Sequence, residues 1–234
     1  MLDAGKTYIA ELRLGIRTST GDAEGEILSE VQPKVESSQL RVALERFRGE
    51  IEQIPPMHSA LKRNGQALYT LARRGETVER AARKVTIYSL ELIDFSGISA
   101  KISVSCSKGT YIRVLAEDIG EVLGCGAHLS ALQRTRVGSF LLENAVPLHD
   151  VEEAANRDKI DAWLLPAETL ASARPQVLLP HDDAENFRHG RRVSPCPGND
   201  GTVRVHAPDG RFLGLGRLTD GVLSVQRGMN HENT

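Results

Sequence analysis

The 234-residue chain has few cysteines, no metal-binding motif, no nucleotide-binding loop and no membrane-length apolar run. Each absence removes a class of function. Cys106, Cys125 and Cys196 are odd in number and widely scattered, which fits a reducing compartment better than a disulfide framework. Cys125 and His128 stand near each other, but no second pair at ligand spacing and no His-Glu-x-x-His exists, so no metal centre is expected. Gly-x-Gly-x-x-Gly, the Gly-Lys-Ser/Thr phosphate loop and the Gly-x-Ser-x-Gly elbow are all missing, which argues against common cofactor enzymes and serine hydrolases. No apolar run approaches the roughly 20 residues that cross a bilayer, and no signal-type segment follows Met1. A soluble, cytoplasmic protein with no membrane partner is expected.

What is present is ordinary globular material: 40% hydrophobic, 26% charged, formal net charge −2. Global charge announces no polyanionic partner, so local clusters must carry any such argument. The length allows one larger and one small domain. The organising stretch runs from Ile102 to Phe140. Ile102, Val104 and Cys106 alternate with serines as in a half-buried strand, and Ser107-Lys108-Gly109 breaks the chain. Thr110 stands where a helix N-cap would sit; Ile112, Leu115, Ile119 and Val122 follow at helical spacing, and Gly124 is placed to end the helix. Arg113 lies in the first turn, off the apolar stripe, where the helix dipole favours anions rather than cations. An arginine there holds a carboxylate or a phosphate through its forked donors, or is a plain solvated side chain.

Before this unit, Tyr8, Ala10, Leu12 and Leu14 form a strand with burial on both faces, as for an inner strand. The loop Thr18–Gly25 offers Asp22 and Glu24, whose commoner use in such loops is turn formation and capping. A helix starts at Ser37 or Ser38. Residues 51–84 then form a long insertion in which Pro55-Pro56 forbids regular structure and Leu68, Leu71 and Ala72 make one short helical pattern. Lys62, Arg63, Arg73, Arg74, Arg80, Arg83 and Lys84 outnumber Glu76 and Glu79 there, with Met57, His58 and Tyr69 interleaved. A basic, anchored loop of this kind suits a phosphate backbone; the alternative is a solvated surface. Val85, Ile87, Leu90, Leu92 and Ile93 read as a strand, and Leu129–Phe140 as another. Pro147 opens a helical stretch in which Val151, Ala154, Ala155, Trp163 and Leu164 can face the core. From residue 174 onward, short apolar runs separated by Pro208-Asp209-Gly210 and Asp220-Gly221 predict a small β domain with a polar tail over 228–234. Cys106 and Cys125 read as core fillers, and a thiol enzyme built on Cys106 is the remote alternative.

Three stretches carry a specific resemblance: KTYIAELRLGIRTSTGDAEG, IEQIPPMHSALKRNGQALYTLARRG and CSKGTYIRVLAEDIGEVLGCGAHLSALQRTRVGSF. In content and spacing they resemble the TruB family of bacterial tRNA pseudouridine synthases over almost the whole chain. The resemblance implies an α+β fold: a mixed or antiparallel central sheet flanked by helices over 1–173, with 51–84 as an RNA-clasping thumb, and a PUA-like β domain over 174–234. It implies isomerisation of uridine 55 in the T-loop of tRNA, by a monomer, with no cofactor and no metal. Such chemistry requires the base to be flipped out of its stack and an aspartate as covalent or near-covalent catalyst. By the same resemblance Tyr8 lies against the uracil and deprotonates carbon, Arg113 pairs with the catalytic aspartate, and Leu132 lines the uracil pocket. RNA contacts fall to His58, Lys62, Arg63, Arg73, Arg74 and Lys108. One departure stands out. The family's aspartate belongs to a Gly-Leu-Asp-Pro-type motif, and this sequence contains no Leu-Asp-Pro; Leu2-Asp3-Ala4 is no substitute. The expectation is therefore the C-terminal two-thirds to three-quarters of such an enzyme, nearly inactive, with Arg113 lacking its carboxylate and the Tyr8 strand exposing an unpaired edge. A non-catalytic RNA-binding fragment is the alternative.

Overall fold

A computed structural model of the chain describes residues 4–63, 65–157 and 159–229. The tripeptide Leu2-Asp3-Ala4 and the polar tail therefore fall largely outside the described residues. Two compact units follow one another, Met1–Ala145 and Val146–Thr234.

The first unit is built on a six-stranded antiparallel sheet. Its elements are β1 (Lys6–Leu14), a hairpin of β2 (Ile16–Thr18) and β3 (Ile27–Glu30), α1 (Ser37–Glu45), β4 (Gly49–Gln53), a small hairpin of β5 (Lys62–Arg63) and β6 (Gln66–Ala67), α2 (Leu68–Ala72), β7 (Arg83–Phe95), β8 (Ser99–Cys106), α3 (Ile112–Val122), β9 (Ala127–Val137) and β10 (Phe140–Leu141). The sheet order is β10-β9-β1-β8-β7-β4. β1 is central, as its two-faced burial predicts, but both neighbours arrive from later in the chain: Tyr8 faces Val104 of β8 and Arg134 of β9. The expectation of an unpaired β1 edge is thus corrected, because β9 occupies it. The exposed edges belong to β10 and β4.

α1 and α3 cover one face. Leu40 and Leu44 of α1 and Ile112, Leu115 and Ile119 of α3 pack with Ala10, Leu12, Ile87, Leu90, Ile102 and Val104 from the strands. The apolar spacing of β7 changes phase between Ile87 and Leu90 for a physical reason. Ile87 pairs with Cys106 and Ser89 with Ser105, so Tyr88 is one residue too many and forms a bulge. α3 stops as its sequence demands: Gly124 takes φ +72° and donates to Glu121 O at 3.0 Å. Its start is different from the reading above. Tyr111, not Thr110, is the N-cap, and the Thr110 hydroxyl instead donates to Ser107 O at 3.0 Å, closing the Ser-Lys-Gly-Thr turn.

In the second unit α4 (Leu148–Asn156) buries Ala154. Trp163 and Leu164 are exposed at 43% and 65%, against the expectation that they face the core. The helix ends before them, and the following 3-10 turns over Ile160–Trp163 and Ala167–Ala171 break the helical phase that would have aligned them with Val151. A four-stranded sheet of β11 (Gln176–Leu178), β12 (Gly201–His206), β13 (Phe212–Thr219) and β14 (Val222–Gly228) follows, covered by α5 (His181–Arg188). Phe187, Val203, Val205, Leu213, Leu218 and Leu223 form its own core. Asp182 lies in the first turn of α5, while Pro180 is the N-cap. No helix among the described residues is long and apolar enough to cross a membrane.

Candidate active site

Arg113 projects from the first turn of α3 into a junction of three segments. Its Nη1 donates to Asp22 Oδ2 at 2.8 Å and to Thr20 O at 3.5 Å, and its Nη2 donates to His58 O at 2.7 Å. Both partners of the Arg113–Asp22 ion pair are largely sheltered, at 24% and 23% side-chain exposure. Arg113 does hold a carboxylate, that of Asp22, which is not the Leu-Asp-Pro aspartate expected as its partner. The reading of Asp22 as a turn residue is half of its role. Its Oδ1 accepts the Thr20 hydroxyl at 2.5 Å and the Glu24 N–H at 3.2 Å, which shapes the loop, while Oδ2 faces Arg113. The loop is anchored to the sheet, since Leu129 N–H of β9 donates to Gly21 O at 3.0 Å.

The electrostatics follow from this wiring. Partial burial resists ionisation of Asp22, but the hydrogen bonds from Thr20, Glu24 and Arg113, with the Arg113 charge, outweigh it and hold the carboxyl below its ordinary value. One turn along α3, Glu117 goes the other way. Burial, assisted by Asp118 and Asp22, lifts it above the ordinary value against the pull of Arg17 and Arg113. Its carboxyl lies directly over Gly21: a methyl placed there would sit 2.8 Å from the Glu117 carboxyl carbon.

Tyr8 and Leu132 lie on the strands beside this junction. Tyr8 packs against the core under α3, and opposite pairs across β1 and β9 are Tyr8 with Arg134 and Ala10 with Leu132. The Arg134 guanidinium stands 5.9 Å from the Tyr8 ring centroid. Burial raises the Tyr8 phenol above its ordinary value, Arg134 opposing and Cys106 adding. Leu132 is 47% exposed, an apolar side chain open to solvent beside the tyrosine. Cys106 is buried, and burial raises its thiol although Thr110 and Lys6 pull it down. That is the opposite of an activated thiol, so the thiol-enzyme alternative fails.

The basic insertion leaves the sheet at Ile54 and returns at Arg83, so its irregular part is 54–82; the outermost residues of the 51–84 span belong to β4 and β7. Lys62, Arg63, Arg73 and Arg74 are exposed. Arg63 donates to Glu79 O at 2.5 Å and Arg73 lies 5.6 Å from the Tyr69 ring, so two of the cations are partly pre-positioned. His58 is at the foot of the insertion, half-buried, serving Arg113 through its carbonyl. Lys108 is exposed in the turn before α3. The proposed RNA contacts are thus spread over the insertion's tip, its foot and the Lys108 turn. Among the described residues no cluster of three or more metal-type side chains occurs.

Two residues of this site carried no usable sequence signal. Gln53, the buried last residue of β4, makes a reciprocal pair with the α3 N-cap: its Nε2 donates to Tyr111 O at 3.3 Å, and Tyr111 N–H donates to its Oε1 at 3.0 Å. Glu117 is the other; helical spacing from Arg113 was its only hint.

Family comparisons agree along the chain. Residues 1–112 match the N-terminal domain of the TruB family pseudouridylate synthases. Residues 113–172 match the tRNA pseudouridylate synthase B C-terminal domain, and 175–229 the C-terminal domain of pseudouridine synthase II TruB. Relatives called tRNA pseudouridine synthase B include those of Burkholderia mallei, 49% identical with 97% of this chain and 77% of the relative covered, and Dechloromonas aromatica, 49% identical with 95% and 74% covered. Among solved structures, a Cbf5-Nop10-Gar1 complex matches with TM-score 0.69 at 24% identity, covering 97% of this chain and 67% of that one. An H/ACA RNP bound to a substrate RNA matches at 0.69 and 22%, covering 97% and 66%. At these identities the structures speak for the fold alone, which this chain shares over nearly its whole length. The chain belongs to the TruB family of pseudouridine synthases.

Proposed function

We propose that this chain is a polypeptide of a tRNA pseudouridine synthase of the kind that isomerises uridine 55 of the T-loop, engaging the T-arm but giving little turnover on its own. The observation that carries the reading is the 49% identity to tRNA pseudouridine synthase B across 97% of the chain. The site geometry supports the division of roles. Tyr8 stacks beneath the flipped uracil and removes the carbon-bound proton, with Arg134 beside its ring. Leu132, exposed next to it, lines the base pocket. Arg113 holds carboxylate charge at the reaction centre through Nη1, while Nη2 is fixed by the His58 carbonyl. Lys62, Arg63, Arg73, Arg74, His58 and Lys108 contact the RNA backbone from the 51–84 thumb and the adjoining turn. The domains are 1–173 for catalysis and 174–234 as the PUA-like module, and the protein works as a monomer without cofactor or metal.

Asp22 is the carboxylate on Arg113, but three groups occupy its oxygens. A carboxylate held in this way is a poor nucleophile. Asp22 is therefore a positioning partner of Arg113, and the attacking aspartate belongs to a Leu-Asp-Pro motif that this sequence does not contain. This favours the second reading for the isolated polypeptide: RNA binding with little turnover. The test is incubation with a T-arm transcript, measuring pseudouridine formed and affinity across a salt series. Tight binding that weakens steeply with salt, by about tenfold or more between 50 and 200 mM, is expected, with pseudouridine near background. Weak, salt-insensitive binding would overturn the RNA-directed function, and rapid turnover would overturn the assignment of Asp22 as a positioning group only.

A further inference from the structure

The insertion and the reaction centre share their attachments. Gln53 is 2% exposed and is the last residue before the insertion departs. A buried amide is costly unless its donor and acceptor are both used. Gln53 uses them on the backbone N–H and C=O of Tyr111, the N-cap of a helix that has no side-chain cap of its own. Arg113 follows two residues later. From the insertion's side, His58 O takes Nη2 of the same arginine at 2.7 Å, and Arg80 donates to Pro55 O at 3.0 Å, tying the far end of the insertion to its beginning. The Ser59 hydroxyl is buried in this corner and has no hydrogen-bond partner among the described residues. Arg113, rather than the corner's own hydroxyl, makes the side-chain bond that holds it.

We propose that Gln53 is a positioning residue for Arg113, and that through this pair the 54–82 insertion and the Arg113–Asp22 contact are placed as one unit. Gln53 sets where α3 begins, which sets where the guanidinium lies. The guanidinium then divides its donors between the Asp22 loop and the insertion's foot. Displacing either acceptor disturbs the other, because a single planar fork serves both. Coupling of this kind is reciprocal: RNA that fixes the insertion also fixes Arg113 on its carboxylate. Its meaning for catalysis rests on the RNA-directed reading above, whereas the coupling itself can be measured without RNA.

The experiment uses the full chain with Gln53→Leu, which removes both bonds, and Gln53→Glu, which keeps an acceptor for Tyr111 N–H and loses the donor. Arg113→Lys is the positive comparison. Val203→Ala, in the core of the second unit, is the control for general destabilisation. Two readouts are taken on protein shown to be folded by circular dichroism: the carboxyl carbon titration of Asp22 by NMR, and the rate of tryptic cleavage after Lys62, Arg63, Arg73 and Arg74. In Gln53→Leu the Asp22 midpoint is expected to move up toward an ordinary aspartate, and cleavage to accelerate by about tenfold, as for a segment whose protection is an opening equilibrium. Val203→Ala should change neither. If Gln53→Leu does not fold, Gln53→Glu carries the test with the same directions. An unchanged Asp22 titration in the folded variants overturns the proposal, even where cleavage rises, because Gln53 would then secure the insertion alone.

Discussion

Two carboxyls within one loop–helix junction are pushed in opposite directions, and this gives the site a signature at the level of single residues. The folded value of Asp22 lies below its ordinary 3.8. Its contribution to stability is therefore complete above that range and fades as pH falls through the folded value. Asp22→Asn should cost about 1 kcal/mol near neutral pH, discounted for residual solvent access. The deficit should shrink in urea unfolding curves taken at progressively lower pH below 4. Glu117 has the reverse linkage. Its folded value lies above the ordinary 4.5, so the protein loses stability as pH rises through that range. Glu117→Gln should therefore be neutral or stabilising at pH 7, and that benefit should vanish in acid. Tyr8 supplies an independent spectroscopic check: with its phenol raised by burial, one of the four tyrosines should ionise late when phenolate absorbance is followed upward in pH, and Tyr8→Phe should remove that late step. Arg113 was legible as an anion-holding residue because a cation at a helix start is unusual. Asp22 was legible only as a turn former, because its local hydrogen bonds follow from the loop while its ion pair spans 91 residues. Gln53 was illegible for the same reason: its partner is 58 residues away.

At the scale of elements, strands and helix ends were readable where local geometry decides them. Gly124 illustrates this, since its left-handed φ requires no knowledge of the rest of the chain. Gly120, in the same helix, is constrained tertiarily. A methyl on Gly120 would lie 2.2 Å from Ala127 N at the start of β9, whereas nothing stands within 4 Å of one on Gly124. Gly124→Ala should cost about 1 kcal/mol of backbone strain. Gly120→Ala should cost about 2–3 kcal/mol by forcing α3 from β9. Denaturant midpoints of the two variants decide between local and tertiary origins. The capping of α3 was misassigned because Thr110 satisfies the pattern of a cap while its hydroxyl turns back to Ser107; Gln53 fills the vacancy from another strand. The sheet edge is handled by a side chain too. Arg48 donates through Nε and Nη2 to Leu90 O at 3.2 and 2.8 Å, covering a carbonyl of β7 beyond the end of β4. Arg48→Ala should raise self-association in sedimentation velocity while leaving helix content unchanged.

For the whole molecule, each compact unit has its own core, which the apolar runs along the chain reflect without fixing where one unit ends. The order of strands in the sheet is not recoverable that way, since any amphipathic strand can pair with any other of matching pattern. β1 sits inside the sheet between two strands from much later in the chain, and this has a consequence for how the sheet is assembled. The Ser130 hydroxyl bonds to Glu11 O across 119 residues. β1 leaves the ribosome long before β9 exists to close its second side. Contacts so distant in sequence slow folding and leave a strand edge available to other chains meanwhile. Nascent chains arrested at Gly126 should therefore bind holdase chaperones, and chains extended past Val137 should be released. The centre of this sheet is made before both of its neighbours and is sealed only when the later of them arrives.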